Sequence, residues 1–409
     1  MYSLFNEKAC KWVKGRKNIF KNLEAAISKD DKVVWMHCAS LGEFEQGRPV
    51  LEKLKTDFPN YKFLITFFSP SGYEVQKNYK VADWIFYLPI DGAANARRFL
   101  EIVHPSLVIF VKYEFWYYYL KKIKYQKIPL LLISAVFSRE MSAFRWIRPF
   151  QIRMLSKFEH IFLQNEGSAK LLDQFNPVKN YSIAGDTRFD RVLEIAENFQ
   201  PIDAIEKFCA GKKVLVAGST WIEDESVISK IAEVLINNDI KLIIAPHEIN
   251  GNHLTEIKKL FPDSILYSEF LKDSSSAVVQ GSASITCLII DNYGMLSKLY
   301  HYAYLCFVGG GFTSNGVHNV TEAAVFGKPV ISGPYISKYL EAVDLVNKKG
   351  GFVVNDAAEL KKLIEDFIRN ENDCYKQSSI ASYNYIKANA GAVVKILNFI
   401  QVNRLLTKL

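Results

Sequence analysis

The residue best placed for chemistry is Glu43. It lies in the run His37-Cys38-Ala39-Ser40-Leu41-Gly42-Glu43-Phe44, immediately after the apolar run Val33–His37. A Ser/Gly turn between a strand and a helix places Glu43 at the carboxyl end of the strand, where open α/β sheets gather their ligands. A carboxylate in a helix's first turn is held ionised by the positive end of the helix dipole. Ionised and oriented, it can take the proton from a sugar hydroxyl as that hydroxyl attacks. The same position also suits a glutamate that only caps a helix, and position alone does not choose between the two.

A second constellation follows the apolar run Leu305–Val308. Gly309-Gly310-Gly311 lets backbone N–H groups come close to an anion. Next comes Gly316-Val317-His318-Asn319-Val320-Thr321-Glu322, which opens a helix, and then Gly327-Lys328-Pro329-Val330 and Ser332-Gly333-Pro334. This order suits a nucleotide-phosphate pocket, with the helix start facing phosphate and Glu322 accepting from ribose hydroxyls. Asn319 with Glu322 three residues later is equally a capping box, and both readings can hold at once. Strand ends also carry Gly218-Ser219-Thr220 and Ala245-Pro246-His247-Glu248. Gly185-Asp186-Thr187-Arg188 ends the first half, where Arg188 could reach an anion.

Aromatics interleave with basic residues in Tyr113–Tyr119 followed by Lys121, Lys122 and Lys124, and again in Arg145-Trp146-Ile147-Arg148-Pro149-Phe150. The pattern suits an anionic lipid surface, nucleic acid, or partly buried rings with solvated lysines. No metal-ligand spacing is present, neither a DxD-type pair after a strand nor a histidine cluster. That reading points to metal-independent chemistry, with leaving-group charge met by amides and basic side chains.

The elements that must position these residues are legible as fourteen apolar, β-rich runs between amphipathic helical stretches. Seven run from Val33–His37 to Tyr181–Ala184, and seven from Val214–Ala217 to Phe352–Val354. Continuous apolar strands joined by helices make parallel sheets, so each half reads as a doubly wound α/β domain. The boundary is expected near 197–212, giving domains at 1–200 and 201–387 with a cleft between them, and an amphipathic helix at 388–409.

Composition narrows the class. The 409 residues carry a net charge of +8, and residues 1–200 hold 30 Lys+Arg against 21 Asp+Glu, the remainder 21 against 22. The positive excess therefore lies wholly in the first half and points to an anionic partner. Six scattered cysteines with no CxxC pair read as reduced, mostly buried thiols. No apolar run reaches the roughly 20 residues that span a bilayer.

Taken together, the motifs resemble the 3-deoxy-D-manno-octulosonic acid (Kdo) transferases. The matching pieces are Ser40-x-Gly42-Glu43, Pro89-x-Asp91, Glu114-x-Trp116, Gly218-Ser219-Thr220, Phe307-Val308-Gly309-Gly310, His318-Asn319 with Glu322, and Gly333-Pro334. They cover nearly the whole chain in order. The resemblance implies a GT-B fold, two Rossmann-like domains facing each other across a cleft. It implies CMP-Kdo as donor, a lipid A precursor as acceptor, and an inverting reaction with no metal and no cofactor. Glu43 stands at the family's general-base position, and Ser40, Gly42 and Glu114 become candidate acceptor contacts. CMP contacts carry over to Pro246, His247, Tyr293, Gly294, Met295, Asn319, Val320, Thr321 and Glu322. Arg188, which stands where the family usually has lysine, joins Ser219, Gly310, Gly311 and His318 as candidate contacts to the donor or transition state. The partners implied are CMP-Kdo, the lipid A precursor and the anionic cytoplasmic face of the bacterial inner membrane, with the protein peripheral to it and no nucleic acid involved.

The chain departs from the pattern in four places. Pro246-His247-Glu248 replaces Pro-Arg-His, Ser134–Ser138 replaces Asn-Ala-Arg-x-Ser, and Gly294-Met295 replaces Gly-Glu. Most members also begin with a hydrophobic anchor, and this chain starts just after where it would end, as a truncated or anchorless member would. Two other readings remain. A different sugar-nucleotide enzyme of the same architecture, a UDP-sugar 2-epimerase or another lipid-linked transferase, fits the glycine-rich pocket, but an epimerase has no need of the basic, aromatic first half. A nucleic-acid binder rests on charge alone and has no recognisable motif.

Overall fold

The computed structural model describes residues 7–112, 114–137, 148–174, 179–273, 285–369 and 371–407. The chain forms two compact units, one of residues 1–190 with 389–409, the other of residues 191–388. The crossing falls at Asp190/Arg191, before the Phe199-Gln200-Pro201 segment. That segment belongs to the second unit, where the Phe199 ring stacks on His301 at 3.8 Å.

The first unit is built on seven parallel strands: β1 (Val33–Cys38), β2 (Lys62–Phe67), β3 (Trp84–Tyr87), β4 (Pro105–Val111), β5 (Leu130–Ala135), β6 (His160–Leu163) and β7 (Tyr181–Ile183). They lie in the order β3-β2-β1-β4-β5-β6-β7. Alternate residues of the same strand feed opposite faces. Val33 and Trp35 pack with Phe99, Tyr119 and Leu120 on one side, while Val34, Met36 and Cys38 pack with Phe44, Val50 and Leu54 on the other. Both faces are covered by helices, which is why the strands read as unbroken apolar runs.

The segment read as a separate C-terminal helix, 388–409, is part of this second layer. Its helix Ala392–Val402 buries Val393, Ile396, Leu397 and Ile400 in the core that also holds Phe44 and Leu54. Burying such side chains contributes about 1.5–3 kcal/mol each. The amphipathic pattern was visible in the sequence, but the pattern does not say which sheet its apolar face covers.

The second unit repeats the plan with β8 (Lys213–Thr220), β9 (Ile240–Pro246), β10 (Ser264–Leu266), β11 (Cys287–Ile289), β12 (Leu305–Val308), β13 (Val330–Ser332) and β14 (Gly351–Val353). The order is β10-β11-β9-β8-β12-β13-β14, again all parallel. In each unit the chain builds one side of the sheet and then crosses to the other, between β1 and β4 and between β8 and β12. Those two points, at the carboxyl ends of the strands, are where such sheets bind ligands.

Candidate active site

At the first switch point, β1 ends at Cys38 and the helix Leu41–Asp57 begins after the extended Ser40. Gly47 lets this helix lie close on the sheet, because a Cβ there would meet Met36 Sδ at 2.8 Å and Val111 at 3.0 Å. The helix start, carrying Glu43, is thereby fixed over β1 and β4. The Ser40 side chain makes no capping bond to the helix backbone. Its hydroxyl donates instead to Glu43 Oε2. In a capping box the serine oxygen would accept a helix amide and the glutamate would reach back to the cap. Here the serine orients a half-buried carboxylate that keeps open surface.

Behind Glu43 lies a buried polar chain. His37 is 0 % exposed on β1. Its Nδ1 lies 2.8 Å from Thr66 Oγ1 and 3.0 Å from the Thr66 carbonyl, and its Nε2 lies 3.0 Å from Glu114 Oε2. The Trp35 indole donates to Thr66 Oγ1 at 2.8 Å, and the Trp116 indole donates to Glu114 Oε2. Glu114, read as an acceptor contact, is thus turned inward and 6 % exposed. A buried carboxylate needs donors, and His37 and Trp116 supply them. Glu43 and Glu114 flank Cys38, whose thiol is pushed well up by burial and then by the carboxylates of Glu114, Glu43 and Glu45. Gly42 is exposed in the first helical turn.

Two further motifs of the first unit have local structural roles. Asp91 of Pro89-x-Asp91 accepts the backbone N–H of Tyr118 at 3.1 Å and of Tyr119 at 3.2 Å, capping the helix Tyr117–Tyr125. The Tyr119 hydroxyl donates to the Pro89 carbonyl at 3.1 Å. Arg188 folds back on Asp186, with Nε and Nη2 donating to Oδ2 at 2.9 and 2.6 Å. Of the basic-aromatic runs and the Ser134–Ser138 motif, Tyr113, Ser138 and Arg145-Trp146-Ile147 lie outside the described residues.

At the second switch point the glycines do something other than cradle an anion. The Gly309 N–H donates to the Gly218 carbonyl at 2.9 Å, and the Gly310 N–H donates to Asp224 Oδ2 at 2.8 Å. Two of the three amides expected to face a phosphate are therefore used within the protein. The glycines are needed for close approach. A Cβ on Gly309 would lie 2.4 Å from the Ser219 carbonyl oxygen, and one on Gly311 would lie 2.5 Å from Gly333 N. Gly310 has φ +87°, a left-handed conformation that favours glycine. The helix expected to present its dipole is one turn, Thr321–Ala324, too short for much of a macrodipole. Asn319 Oδ1 accepts from Thr321 N at 3.2 Å and Thr321 Oγ1 at 2.6 Å, while its amide donates to Glu322 Oε1 at 3.0 Å. Asn319, Thr321 and Glu322 thus brace one another, but not as the expected capping box: Val320 stands at the N-cap, and Asn319 accepts from Thr321.

Asp224 was not singled out from the sequence. It follows β8, is fully buried, and accepts from both Trp221 N (2.9 Å) and Gly310 N. Its other oxygen, Oδ1, is buried with no partner among the described residues. Burial raises its pKa to about 6 against the opposing pull of those two amides. The acid three residues after Trp221 is the sequence signal that would have found it, since that is half of a capping box.

Above this carboxylate stand three near-parallel rings. Trp221 and His247 are 4.7 Å apart at 31°, and His247 and His318 are 4.3 Å apart at 14°. The Trp221 indole donates to His318 Nε2 at 2.9 Å. Burial, then the neighbouring His247, pushes the pKa of His318 down to about 4, and burial lowers that of His247. Both rings are neutral near pH 7. The exposed Tyr293 accepts the Ile249 N–H at 3.2 Å, tying the Tyr293-Gly294-Met295 turn after β11 to the Pro246-His247-Glu248 loop after β9. Pro246, His247, Tyr293, His318 and Asn319 are thus gathered at the carboxyl ends of β9, β11 and β12. Among the described residues, no group of three or more His, Cys, Asp or Glu side chains is placed to hold a metal ion.

Residues 14–191 match the family model described as 3-deoxy-D-manno-octulosonic-acid transferase (kdotransferase). The 3-deoxy-D-manno-octulosonic acid transferase of Aquifex aeolicus is 27 % identical over 348 residues, covering 84 % of this chain and 86 % of that protein. The Haemophilus influenzae transferase of the same name is 24 % identical, covering 90 % and 86 %. The chain is similar to the Kdo transferases over most of its length. It is a glycosyltransferase. A bifunctional glycosyltransferase/methyltransferase of Fusobacterium nucleatum is 25 % identical over 88 % of this chain, which spans 57 % of that longer protein.

Solved structures agree on the fold. A glycosyltransferase from Rickettsia africae superposes with a TM-score of 0.58 at 15 % identity, covering 90 % of this chain and 98 % of that one. The UDP-GlcNAc 2-epimerase of Neisseria meningitidis gives 0.60 at 16 %, covering 90 % and 99 %. The chain thus has the expected α/β GT-B fold, with one Rossmann-like sheet in each unit.

Proposed function

We propose that this glycosyltransferase moves one or more Kdo residues from CMP-Kdo to a lipid A precursor, with inversion, without a metal, and with Glu43 as general base. The observation that carries the reading is the Ser40–Glu43 pair: a half-buried carboxylate oriented by a hydroxyl at the β1–β4 switch point. In the proposed step an acceptor hydroxyl attacks the anomeric carbon of Kdo and loses its proton to Glu43. The bond from that carbon to the phosphate oxygen breaks, and CMP leaves with the electron pair. Pro246, His247, the Tyr293–Met295 turn and Asn319–Glu322 hold the nucleotide in this reading. Glu114 then holds His37 and Trp116 in place instead of touching the acceptor.

The exposed surface of the first unit supports an anionic, membrane-borne acceptor. Tyr118, Tyr125 and Phe150 are exposed. Tyr117 stacks on Phe150 at 5.6 Å, and the Lys121 and Lys122 ammonium groups lie over the Tyr117 and Tyr125 rings. The Lys157 ammonium is pushed down by burial and then by Arg153, Lys121 and Lys124, which places four cations together. Rings beside clustered cations suit the interface of an anionic membrane. Among the described residues no helix is long and apolar enough to cross one.

The test is a single assay with CMP-Kdo and lipid A precursor, the product read by mass and repeated with EDTA. Wild-type protein is expected to add Kdo in both conditions, and Glu43→Ala is expected to bind CMP yet transfer at a small fraction of the rate. Wild-type rates from Glu43→Ala would remove the base assignment. Binding of UDP in place of CMP would remove the donor assignment in favour of another sugar-nucleotide enzyme. For the membrane surface, vesicles rich in anionic lipid should hold the protein. Replacing Lys121, Lys122 and Lys124 with alanine should weaken that binding about 100-fold, at about 1 kcal/mol per lysine.

A further inference from the structure

The Trp221 side chain has a chemical consequence for His318 that the binding reading leaves unused. An indole N–H can only donate. At 2.9 Å from His318 Nε2 it requires that nitrogen to be the acceptor, so the neutral ring carries its proton on Nδ1. Trp221 is itself held from below: its backbone N–H is bound by Asp224, which also binds Gly310 in the loop after β12. The His318 backbone N–H donates to the Gly309 carbonyl at 3.0 Å, fixing the ring's attachment to the same loop. His247, standing where the family usually has arginine, stacks on His318 and adds no charge. His318 Nδ1 has no partner among the described residues, and neither has the backbone N–H of Gly311 nearby in the loop.

We propose that Trp221 is a positioning residue that locks His318 in its Nδ1–H form, so that the site offers the phosphate of a nucleoside monophosphate a neutral, oriented hydrogen-bond donor in place of a cation. This rests on the CMP-donor reading for the identity of the ligand, but not for the state of the ring. A neutral donor binds phosphate less tightly than an arginine would. It also releases the nucleotide more readily once the sugar has left. A Trp221 that only fills space would leave the histidine free to exchange tautomers.

The experiment is long-range proton–nitrogen NMR on protein labelled at histidine nitrogen, with His318 assigned by His318→Ala. In free wild-type protein the His318 signals should show Nδ1 protonated and Nε2 bare. Trp221→Phe, which keeps a ring in the stack but removes the N–H, should lose that signature and bind CMP about tenfold more weakly, with cytidine affinity unchanged. CMP and inorganic phosphate should each move the His318 Nδ1 signal, and cytidine should not. A protonated Nε2 in the free wild-type protein overturns the proposal without need of any variant. So does Trp221→Phe binding CMP at wild-type strength, or cytidine moving Nδ1 as far as CMP does. If UDP binds and CMP does not, the donor reading fails while the measurement on the free protein still decides the tautomer.

Discussion

The two switch points occupy equivalent places in two parallel sheets, yet they are built from opposite materials. At the ends of β1 and β4 the working groups are side chains: a carboxylate oriented by a serine, backed by a buried histidine, glutamate and two indoles. At the ends of β8 and β12 the backbone is packed so closely that glycine is required, and a single buried carboxylate ties the two strand exits together. The first arrangement suits proton transfer, in which one group must act at one atom. The second suits holding a rigid ligand, in which the walls must not move. The proposed transfer, with acceptor on one unit and nucleotide on the other, would need both.

Four substitutions test that contrast, from the largest effect down. Glu43→Gln keeps the shape and the bond to Ser40 but cannot take a proton. The rate of Kdo transfer should fall by about 10²–10⁴ with CMP affinity unchanged; a loss of tenfold or less would make Glu43 a cap.

Asp224→Asn removes a buried charge at the second switch point while leaving an oxygen for the Trp221 and Gly310 amides. The wild-type pKa is raised from 3.8 to about 6, so the folded state binds this proton more tightly than the unfolded state. Its contribution to stability is complete below about pH 4 and is lost as pH rises through about 6. By pH 7 the ionised carboxylate costs on the order of 3 kcal/mol. Calorimetric melting should therefore show the Asp224→Asn variant gaining on wild type as pH rises from 4 to 7, then holding level. A difference independent of pH would mean that burial does not raise the pKa of Asp224.

The glycines give the finest comparison. Gly309→Ala would press a Cβ to 2.4 Å from the Ser219 carbonyl, against backbone that cannot swing away. It should cost the second unit about 1–3 kcal/mol or more, read by urea unfolding. Gly42→Ala meets only Ser40 Oγ at 3.8 Å in an exposed first turn. It should be neutral or up to about 1 kcal/mol stabilising. If both glycines tolerate alanine alike, the two sites are not built as differently as their contacts indicate.

How much of this could be read from residue types differs between the same two regions. The fourteen strands were legible because parallel strands covered on both faces are apolar throughout, and Glu43 because it follows the first of them within a few residues. The role of Gly309–Gly311 was not, since a glycine run looks the same whether its amides meet a phosphate or its missing side chains admit another backbone. Glu114 and Trp116 were legible as a motif, but the direction of the carboxylate depends on His37, 77 residues earlier in the sequence. Asp224 and Trp221 escaped notice for a similar reason, as their partners Gly310 and His318 lie 86 and 97 residues away.

The return of the helix Ala392–Val402 to the first unit bears on the order in which the protein is made. Asp190, the last residue before the chain enters the second unit, accepts the backbone N–H of Gly391 at 2.9 Å and Ala392 at 3.1 Å as the chain comes back. Residues 191–388 are thus an insertion within the first unit. On the ribosome, the second sheet can close while the first still lacks a piece of its core. The part of the molecule that carries Glu43 is begun first and finished last.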